Sequence, residues 1–409
     1  MKVLQLCNKP PYPPVDGGTM AMNSITQGLL RAGYEVKVLT VETDKHPARL
    51  EQMPVDYREK TGFEAVYIDL SVKAVPAAVA MLCGESYHVK RYVNRHFAEH
   101  LTAVLKQEQF DVVHVESIFL TPYVPIIRKY SKAKVILRAH NVEHLIWKRV
   151  AQSTRQYFKR WYLNHLSLTL RAYELEHLQD YDGVVCITQG DADYFKQNGC
   201  RRPVTVIPFG VEIADDGHGK AHREPDMVTD RYSICSLYHL GAMDWMPNQE
   251  SITWLLDDVW PVVHREVPQA HLYLAGRKMP ETLMQRAIEG VTIVGEVSDA
   301  RQFIADKQIN VVPLLSGSGI RVKIIEAMAA GKAVVTTTVG ARGIEYTDGE
   351  NLLIANTPTE FARQIKRLVD DPGYCLQVGA AAARKVAECY DVGCLTERLL
   401  QFYNERMEI

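Results

Sequence analysis

The feature that most constrains this fold is a regular alternation of short apolar runs with helix-length segments. In the first half of the chain the runs occupy residues 3–7, 36–41, 111–117, 134–140, 183–189 and 204–208. Most are apolar at nearly every position, as strands covered by helices on both faces are. The pattern predicts an α/β protein built on a parallel sheet.

The same pattern begins again at Ile234 and continues through residues 270–278, 291–297, 309–315 and 333–338. Because 409 residues exceed one ordinary core, two doubly wound, Rossmann-like domains facing a central cleft are expected. We place them at residues 1–208 and 209–390, with a polar connecting segment at 212–230. Residues 391–409 predict a last helix that packs back toward the first domain. Ligands are expected at the carboxyl ends of the strands.

Composition excludes several classes of protein. The net charge of −2 argues against a dedicated nucleic-acid binder. The eight cysteines form no C-x-x-C pair, which suits reduced thiols in a cytoplasmic protein. Residues 1–7 resemble a first strand rather than a signal peptide, and no apolar run is long enough for a membrane span. No spacing typical of metal ligands occurs, so we expect no metal and no cofactor beyond the substrate.

The stretch "SGSGIRVKIIEAMAAGKAVV", residues 316–335, is the strongest candidate for a binding site. Its small residues allow close backbone approach, and the following helix start offers N–H groups around Ser318 and Gly319. Arg321 and Lys323 suit a diphosphate, and Glu326, one turn later, can accept hydrogen bonds from sugar or ribose hydroxyls. A surface ion pair between Lys323 and Glu326 is the alternative.

Further candidates follow other predicted strands. In the first half these are Gly17 and Gly18, where a strand turns into a helix, and His140, which ends a strand; His114, Asn141 and Glu143 are weaker candidates. The glycines permit a close approach to a phosphate or sugar, and an imidazole can hydrogen-bond a sugar hydroxyl. Turn geometry and a structural histidine are the competing explanations.

In the second half the candidates are Gly241, Asp244, Asn248 and Arg277, each in a loop after a predicted strand. Helix capping competes as the explanation of Asn248, and a solvated basic loop competes for Arg277 and Lys278.

Six segments together resemble retaining GT-B glycosyltransferases of family four. They are "PPYPPVDGGTMAMNSITQGLLRAGYEVKVLT", "RAHNVEH", "YELEHLQDYDGVVCITQGDADYF", "VIPFGVE", "GAMDWMPNQESITWL" and "GSGIRVKIIEAMAAGKAVVTTTVGARGI", in the order the family has them. The resemblance implies transfer of a sugar, with retention, from a nucleotide diphosphate sugar to a carbohydrate or lipid-linked acceptor. It also implies a donor-binding C-terminal domain, an acceptor-side N-terminal domain and work in bacterial surface-polysaccharide assembly.

Two departures from the family pattern stand out. Ser318 occupies the position of the first of two glutamates, the second being Glu326, and Ala242 and Pro247 lie where many members have an Arg and a Lys. We therefore expect Arg321 and Lys323 to bind the diphosphate instead. A nucleotide-sugar epimerase of similar architecture, or a donor-binding scaffold subunit of weak activity, remains an alternative.

The basic and aromatic stretch from Trp147 to Leu168 has two interpretations. It fits a weak peripheral contact with the inner face of an anionic membrane or with a lipid-linked acceptor. A surface helix with extended cationic side chains is the other interpretation.

Overall fold

The computed structural model describes residues 1–211, 235–317 and 319–407. The chain forms two compact units, one of Met1–Gly210 with Val392–Ile409 and one of Val211–Asp391. The predicted connection at 212–230 and the candidate Ser318 lie outside the described residues. Among the residues described, no helix combines the length and apolarity needed to cross a bilayer.

The first unit contains a seven-stranded sheet in the order β3-β2-β1-β4-β5-β6-β7, and each neighbouring pair is parallel. The strands are β1 Lys2–Cys7, β2 Glu35–Glu42, β3 Glu64–Tyr67, β4 Val112–Val115, β5 Lys134–Ala139, β6 Gly183–Cys186 and β7 Val204–Val206. The strand order reverses between β1 and β4, which is where doubly wound folds bind ligands.

Helices cover both faces of this sheet. They are α1 Gly17–Arg31, α2 Val55–Thr61, α3 Ala74–Leu82, α4 Tyr87–Lys90, α5 Arg95–Gln107, α6 Val124–Tyr130, α7 Glu143–Ser153, α8 Tyr157–Glu176 and α9 Gln189–Gln197. Short 3₁₀ segments occupy Leu50–Gln52, Ile118–Tyr123 and His177–Asp180.

Strand β1 shows why the predicted strands are apolar throughout. Successive side chains of a strand point to opposite faces. Leu4 and Leu6 therefore belong to one buried cluster, while Val3 and Cys7 belong to the cluster on the other face. The last helix of the chain completes that second cluster.

The second unit contains a six-stranded sheet, again parallel between all neighbours, in the order β10-β9-β8-β11-β12-β13. Its strands are β8 Ser236–Leu240, β9 His271–Ala275, β10 Val291–Gly295, β11 Ile309–Val312, β12 Ala333–Thr336 and β13 Leu353–Ile354. Here the order reverses between β8 and β11. The prediction of an α/β fold with two doubly wound parallel sheets is confirmed.

The helices of the second unit are α10 Met246–Trp254, α11 Trp260–Glu266, α12 Glu281–Met284, α13 Ala300–Ala305, α14 Val322–Ala329, α15 Pro358–Asp370 and α16 Pro372–Tyr390. A π-helical segment, Leu255–Val259, joins α10 to α11.

The C-terminal helix α17, Val392–Met407, belongs to the first unit and packs on α1. Gly28 permits this approach, because a Cβ there would lie 2.0 Å from Thr396 Oγ1. Leu395, Leu399 and Tyr403 of α17 enter the buried cluster that contains Val3 and Cys7.

Candidate functional site

In the second unit, Lys323 joins the loop after β8 to the helix after β11, at the point where the strand order reverses. Its ammonium group donates to Asn248 Oδ1 at 2.9 Å and approaches His239 Nε2 at 3.2 Å. His239 Nδ1 lies 2.7 Å from the carbonyl oxygen of Val311, so this nitrogen carries the proton and Nε2 accepts from Lys323. The Asn248 amide in turn donates to the Ala242 carbonyl at 2.7 Å.

The charge of Lys323 is poorly compensated. Burial and the nearby Arg321 guanidinium lower its pKa to about 7. The pKa of His239 is held well below its ordinary value by burial and by Lys323, so the imidazole stays neutral. Among the described residues, the partners of the ammonium, Asn248 and His239, are neutral, and an anion bound here would restore the charged form of the lysine.

Gly241 leaves space for the Lys323 ammonium because it has no side chain. A Cβ at Gly241 would lie 3.1 Å from Lys323 Nζ, Asn248 Nδ2 and His239 Nε2. Such contacts are tighter than ordinary van der Waals packing, so a side chain here would displace the cluster. The absence of a Cβ therefore allows a cation from α14 to lie against the backbone of the β8 loop.

Arg321 immediately precedes α14 and has extended backbone geometry. Its side chain is buried, and its guanidinium lies 5.2 Å from the ring of Trp245, within the range of a cation–π contact. It also lies close to Gly317, where φ is +119° and a Cβ would be 2.7 Å from Arg321 Nη2. The structure thus brings Arg321 and Lys323 to the same loop pair.

The other candidates in this unit lie around that cluster. Glu326 is exposed one turn further along α14, and protein atoms around its carboxyl group displace enough water to raise its pKa. Gly319 has a φ of +78°, which favours glycine. The alternative surface pair is not formed, because Lys323 donates to Asn248 rather than to Glu326.

Asp244 and Arg277 are exposed and outside the hydrogen-bonded cluster. Asp244 pairs with Lys278 at 3.3 Å, and the Arg277 carbonyl accepts from the Met243 N–H at 2.9 Å. Asn248 does not cap a helix, since Trp245 is the N-cap of α10. The capping interpretation of Asn248 is therefore wrong.

In the first unit a cavity of about 210 Å³ opens at the carboxyl ends of β1, β4 and β5. Two of the sequence candidates, Gly18 and His140, line it, as do the weaker candidates Asn141 and Glu143. Lys9, Glu116 and Glu174 complete its charged lining. The cavity lies at the reversal of strand order, where doubly wound folds bind ligands.

Glu116 is fully buried beneath this cavity and holds His140 in place. Its carboxylate accepts from His140 Nε2 at 2.9 Å, His114 Nδ1 at 3.2 Å and Gln5 Nε2 at 2.7 Å. Arg138 Nε lies 3.7 Å away. Burial opposes ionisation, but the hydrogen bonds from the two histidines outweigh it and lower the pKa of Glu116.

His140 consequently has one defined tautomer. Because an ionised carboxylate only accepts, His140 Nε2 carries the proton and Nδ1 is left as an acceptor. Burial lowers the pKa of His140, so the ring is neutral near pH 7. His114, in contrast, is wholly buried, and its Nδ1 donates to the Glu116 carboxylate.

Gly17 and Gly18 begin helix α1, which Asp16 caps. The Asp16 carboxylate accepts from the Thr19 N–H at 2.9 Å and pairs with Lys9 Nζ at 2.7 Å. A Cβ at Gly18 would lie 3.1 Å from Lys9 Nζ, so the glycine leaves room for this ammonium beside the helix start.

Glu143 and Glu174 form an acidic pair in the cavity wall. Glu174 is almost fully buried and accepts from the Glu143 N–H at 3.0 Å and from His144 Nδ1 at 2.5 Å. Burial, together with the charge of Glu174, raises the pKa of Glu143 to about 8. Glu143 can therefore donate a hydrogen bond at neutral pH.

Several of these groups were not identified from the sequence: Lys9, Glu116, Glu174 and His239. A usable signal existed for one of them, Glu116. In "VHVES" and "VILRAH" polar residues recur every second position, at His114 and Glu116 and at Arg138 and His140. Such residues lie on one face of their strands, and neighbouring parallel strands bring them together.

Comparison with known families agrees with this architecture. Residues 15–215 match a family described as "Glycosyltransferase Family 4", and residues 235–371 match one described as "Glycosyl transferases group 1". A 44.6 kDa protein in the cps region of Klebsiella pneumoniae is 22% identical over 400 residues, which is 95% of this chain and 96% of that protein.

Solved structures share the fold along the whole chain. Sucrose-phosphate synthase of Thermosynechococcus elongatus superposes with a TM-score of 0.68 at 15% identity, covering 100% of both chains. HepE of Anabaena, solved with UDP and glucose, gives a TM-score of 0.64 at 13% identity, covering 99% of this chain and 100% of that one. At such identities the likeness concerns the fold alone.

Proposed function

Because this chain belongs to the GT-B glycosyltransferases of the family-four type, we propose that it transfers a sugar, with retention, from a nucleoside diphosphate sugar to a carbohydrate or lipid-linked acceptor. The observation that carries the proposal is the Lys323 ammonium, held against Gly241 among neutral partners. Many family members place basic side chains in the β8 loop itself, whereas here a lysine reaches that loop from α14.

The difficult step is departure of the diphosphate from the anomeric carbon. As the carbon–oxygen bond breaks, its electron pair stays with the β-phosphate, and preorganised donors stabilise that charge. Lys323, Arg321 and the N–H group of Gly319 take this role. Glu326 orients the ribose, and Asp244, Asn248 and Arg277 complete the donor site. From its place in the sequence, beside Gly319, we propose the same role for the N–H group of Ser318.

In the first unit, Gly17, Gly18 and His140 bind the sugar and the acceptor. The neutral His140 ring presents Nδ1 as an acceptor for a sugar hydroxyl, and Glu116 fixes this orientation. The incoming hydroxyl bonds to the anomeric carbon on the face that the diphosphate leaves, and its proton passes to the departing phosphate. Retention follows from this front-face displacement. No metal takes part, since cationic side chains supply the charge.

Two relatives suggest which substrates to examine first. The Klebsiella relative is described by its cps region, and HepE was solved with UDP and glucose. We therefore propose a uridine nucleotide as donor and surface-polysaccharide assembly as the process. A lipid-linked acceptor would bring the enzyme to the cytoplasmic face of the membrane as a peripheral protein.

A thermal-shift panel of nucleoside diphosphate sugars identifies the donor, because a ligand of the folded state raises Tm. UDP is expected to raise Tm of the wild type more than that of Lys323→Met, which binds UDP more weakly; an equal rise in both would refute the proposed phosphate site. Turnover is then followed with candidate acceptors by the anomeric NMR signal of the product. Activity that survives EDTA supports a metal-free reaction.

The same assay separates the alternatives. An epimerase converts the donor to another nucleotide sugar when no acceptor is present. A scaffold subunit binds the donor without turnover, whatever acceptor is supplied. A product whose anomeric centre is inverted would refute the front-face mechanism but not the proposal of glycosyl transfer.

A further inference from the structure

Helix α8 has two apolar faces, and only one of them is covered. Leu163 and Leu166 pack into a buried cluster with α3, α4 and α7. At about 100° per residue, the side chains of Phe158, Trp161 and Leu168 lie on the opposite face. These three are 83%, 54% and 67% exposed.

Exposed aromatic rings thus form a continuous outward stripe along the first half of α8. Tyr157, 67% exposed, contacts the Phe158 ring with centroids 5.6 Å apart, and the Trp161 ring stacks on His165 at 6.3 Å. An outward apolar face is costly in water when nothing covers it.

The charged side chains of the segment that carries this stripe all have one sign. From Trp147 to Arg171 the sequence has six Lys or Arg residues and no Asp or Glu. They are Lys148, Arg149, Arg155, Lys159, Arg160 and Arg171, all exposed. Within the part of the chain that the structure describes, no carboxylate pairs with Lys148, Arg155, Lys159 or Arg160.

Helix α3 supplies a useful contrast. Val75, Val79 and Leu82 also form an outward apolar stripe, opposite Ala77 and Ala80 in the same buried cluster. The adjacent Lys73, however, pairs with Asp69 at 3.0 Å. Charge complementarity therefore singles out α8 rather than every apolar face of the unit.

We propose that the stripe of Tyr157, Phe158, Trp161 and Leu168, flanked by the cations of residues 148–160, binds the surface of an anionic lipid bilayer. Aromatic rings enter the boundary between headgroups and acyl chains, and long cationic side chains reach the lipid phosphates. This surface holds the enzyme near a lipid-linked acceptor, and in that respect the inference rests on the proposed function.

Sedimentation with lipid vesicles tests this surface in the full-length protein. Phosphatidylcholine vesicles with added phosphatidylglycerol are expected to bind the wild type at about 0.1 M salt and to release it at about 1 M, where the Debye length falls from about 10 to 3 Å. Pure phosphatidylcholine vesicles are expected to bind much less.

Two variants and one control separate the contributions. Lys159→Gln with Arg160→Gln should weaken partitioning about 30-fold, since each cation near such a surface contributes about fivefold. Phe158→Ser with Trp161→Ser should weaken it on every anionic vesicle. The control, Arg363→Gln with Lys366→Gln, removes two exposed cations from α15 in the other unit and should change nothing.

Three results would overturn the inference. They are equal binding of wild type and both α8 variants, no binding of the wild type, and a concentration-dependent dimer that the Phe158 and Trp161 changes abolish. The UDP-induced Tm shift of the same variants tests donor binding separately. A variant that loses vesicle binding but keeps the Tm shift still binds the donor. If the protein binds vesicles but UDP does not raise Tm, the proposed donor site is refuted and the bilayer-binding surface is not.

Discussion

Nucleotide binding should take up a proton, because Lys323 is largely neutral in the free protein at moderately alkaline pH. Its pKa of about 7 means that only about a tenth of the molecules carry the charge near pH 8. A bound diphosphate supplies the missing negative charge and raises this pKa toward the ordinary value of a lysine. Binding of UDP at about pH 8 should therefore take up about 0.9 proton, and about 0.1 near pH 6.

The same shift predicts how the dissociation constant changes with pH. Between about pH 7 and 9 the charged fraction of free Lys323 falls from about a half to about a hundredth, so the affinity for UDP should fall about 50-fold. Affinity is highest on the acidic side of this window, where the free lysine is already charged.

Isothermal titration calorimetry in Tris and in HEPES at one pH measures the uptake, because these buffers release their protons with different enthalpies. Lys323→Met should abolish it. The matched control is Lys332→Met, since the pKa of Lys332 is also lowered by burial but its ammonium donates to the Ala305 carbonyl. Uptake below about 0.3 proton near pH 8, or full uptake in Lys323→Met, would refute the assignment.

Three further outcomes follow from the same contacts. Glu116→Ala should cost about 3–5 kcal/mol of unfolding free energy in urea, because it leaves the buried Arg138 without its counter-charge; a loss under about 1 kcal/mol would contradict this. Glu143 has a folded pKa of about 8, above its unfolded value, so the wild type loses stability as pH rises from about 4.5 to 8. Glu143→Gln should therefore be more stable than the wild type by about 2–4 kcal/mol near pH 9 and by little near pH 5, as urea unfolding at the two pH values would show. Gly241→Ala should raise the Kd for UDP at least about tenfold by displacing Lys323. Gly373→Ala, at the exposed start of α16 in the same unit, serves as the control that leaves Kd unchanged, since a Cβ there meets only the Asp371 carboxylate, at 3.3 Å.

The central strands β1, β4, β5 and β6 could be predicted because they are buried on both faces. Residues 3–7 were expected as the first strand, and the structure forms it at Lys2–Cys7. Gly241 and Lys323 were expected as separate candidates after two different strands, and the structure brings them together.

The partners of those residues could not be predicted, because they depend on register between strands. His239 meets Lys323 only through the pairing of β8 with β11, where Ile309 lies opposite Leu237. Likewise, Glu116 reaches His140 because β4 and β5 are neighbours. Spacing along one chain segment shows which residues share a face of a strand, but not which residues they meet on the neighbouring strand.

The burial of one residue of α14 could not be predicted for a related reason. On a helical wheel Ala327 falls beside Lys323 and Glu326, on the side away from the sheet, yet it is buried. A wheel shows which side meets the sheet but not which second helix covers the other side. Helix α16 packs on α14, and Gly379 approaches so closely that a Cβ would lie 2.1 Å from the Gly331 carbonyl oxygen.

The two polar clusters differ in how their charge is balanced, and this difference supports assigning them different substrates. Glu116 is an anion whose hydrogen bonds and nearby guanidinium are all internal, so its charge is satisfied without a ligand and it serves to orient His140. Lys323 is a cation whose described partners, Asn248 and His239, are neutral. A neutral sugar hydroxyl can therefore bind in the first unit at little electrostatic cost, whereas a diphosphate gains most where the protein has left a positive charge uncompensated.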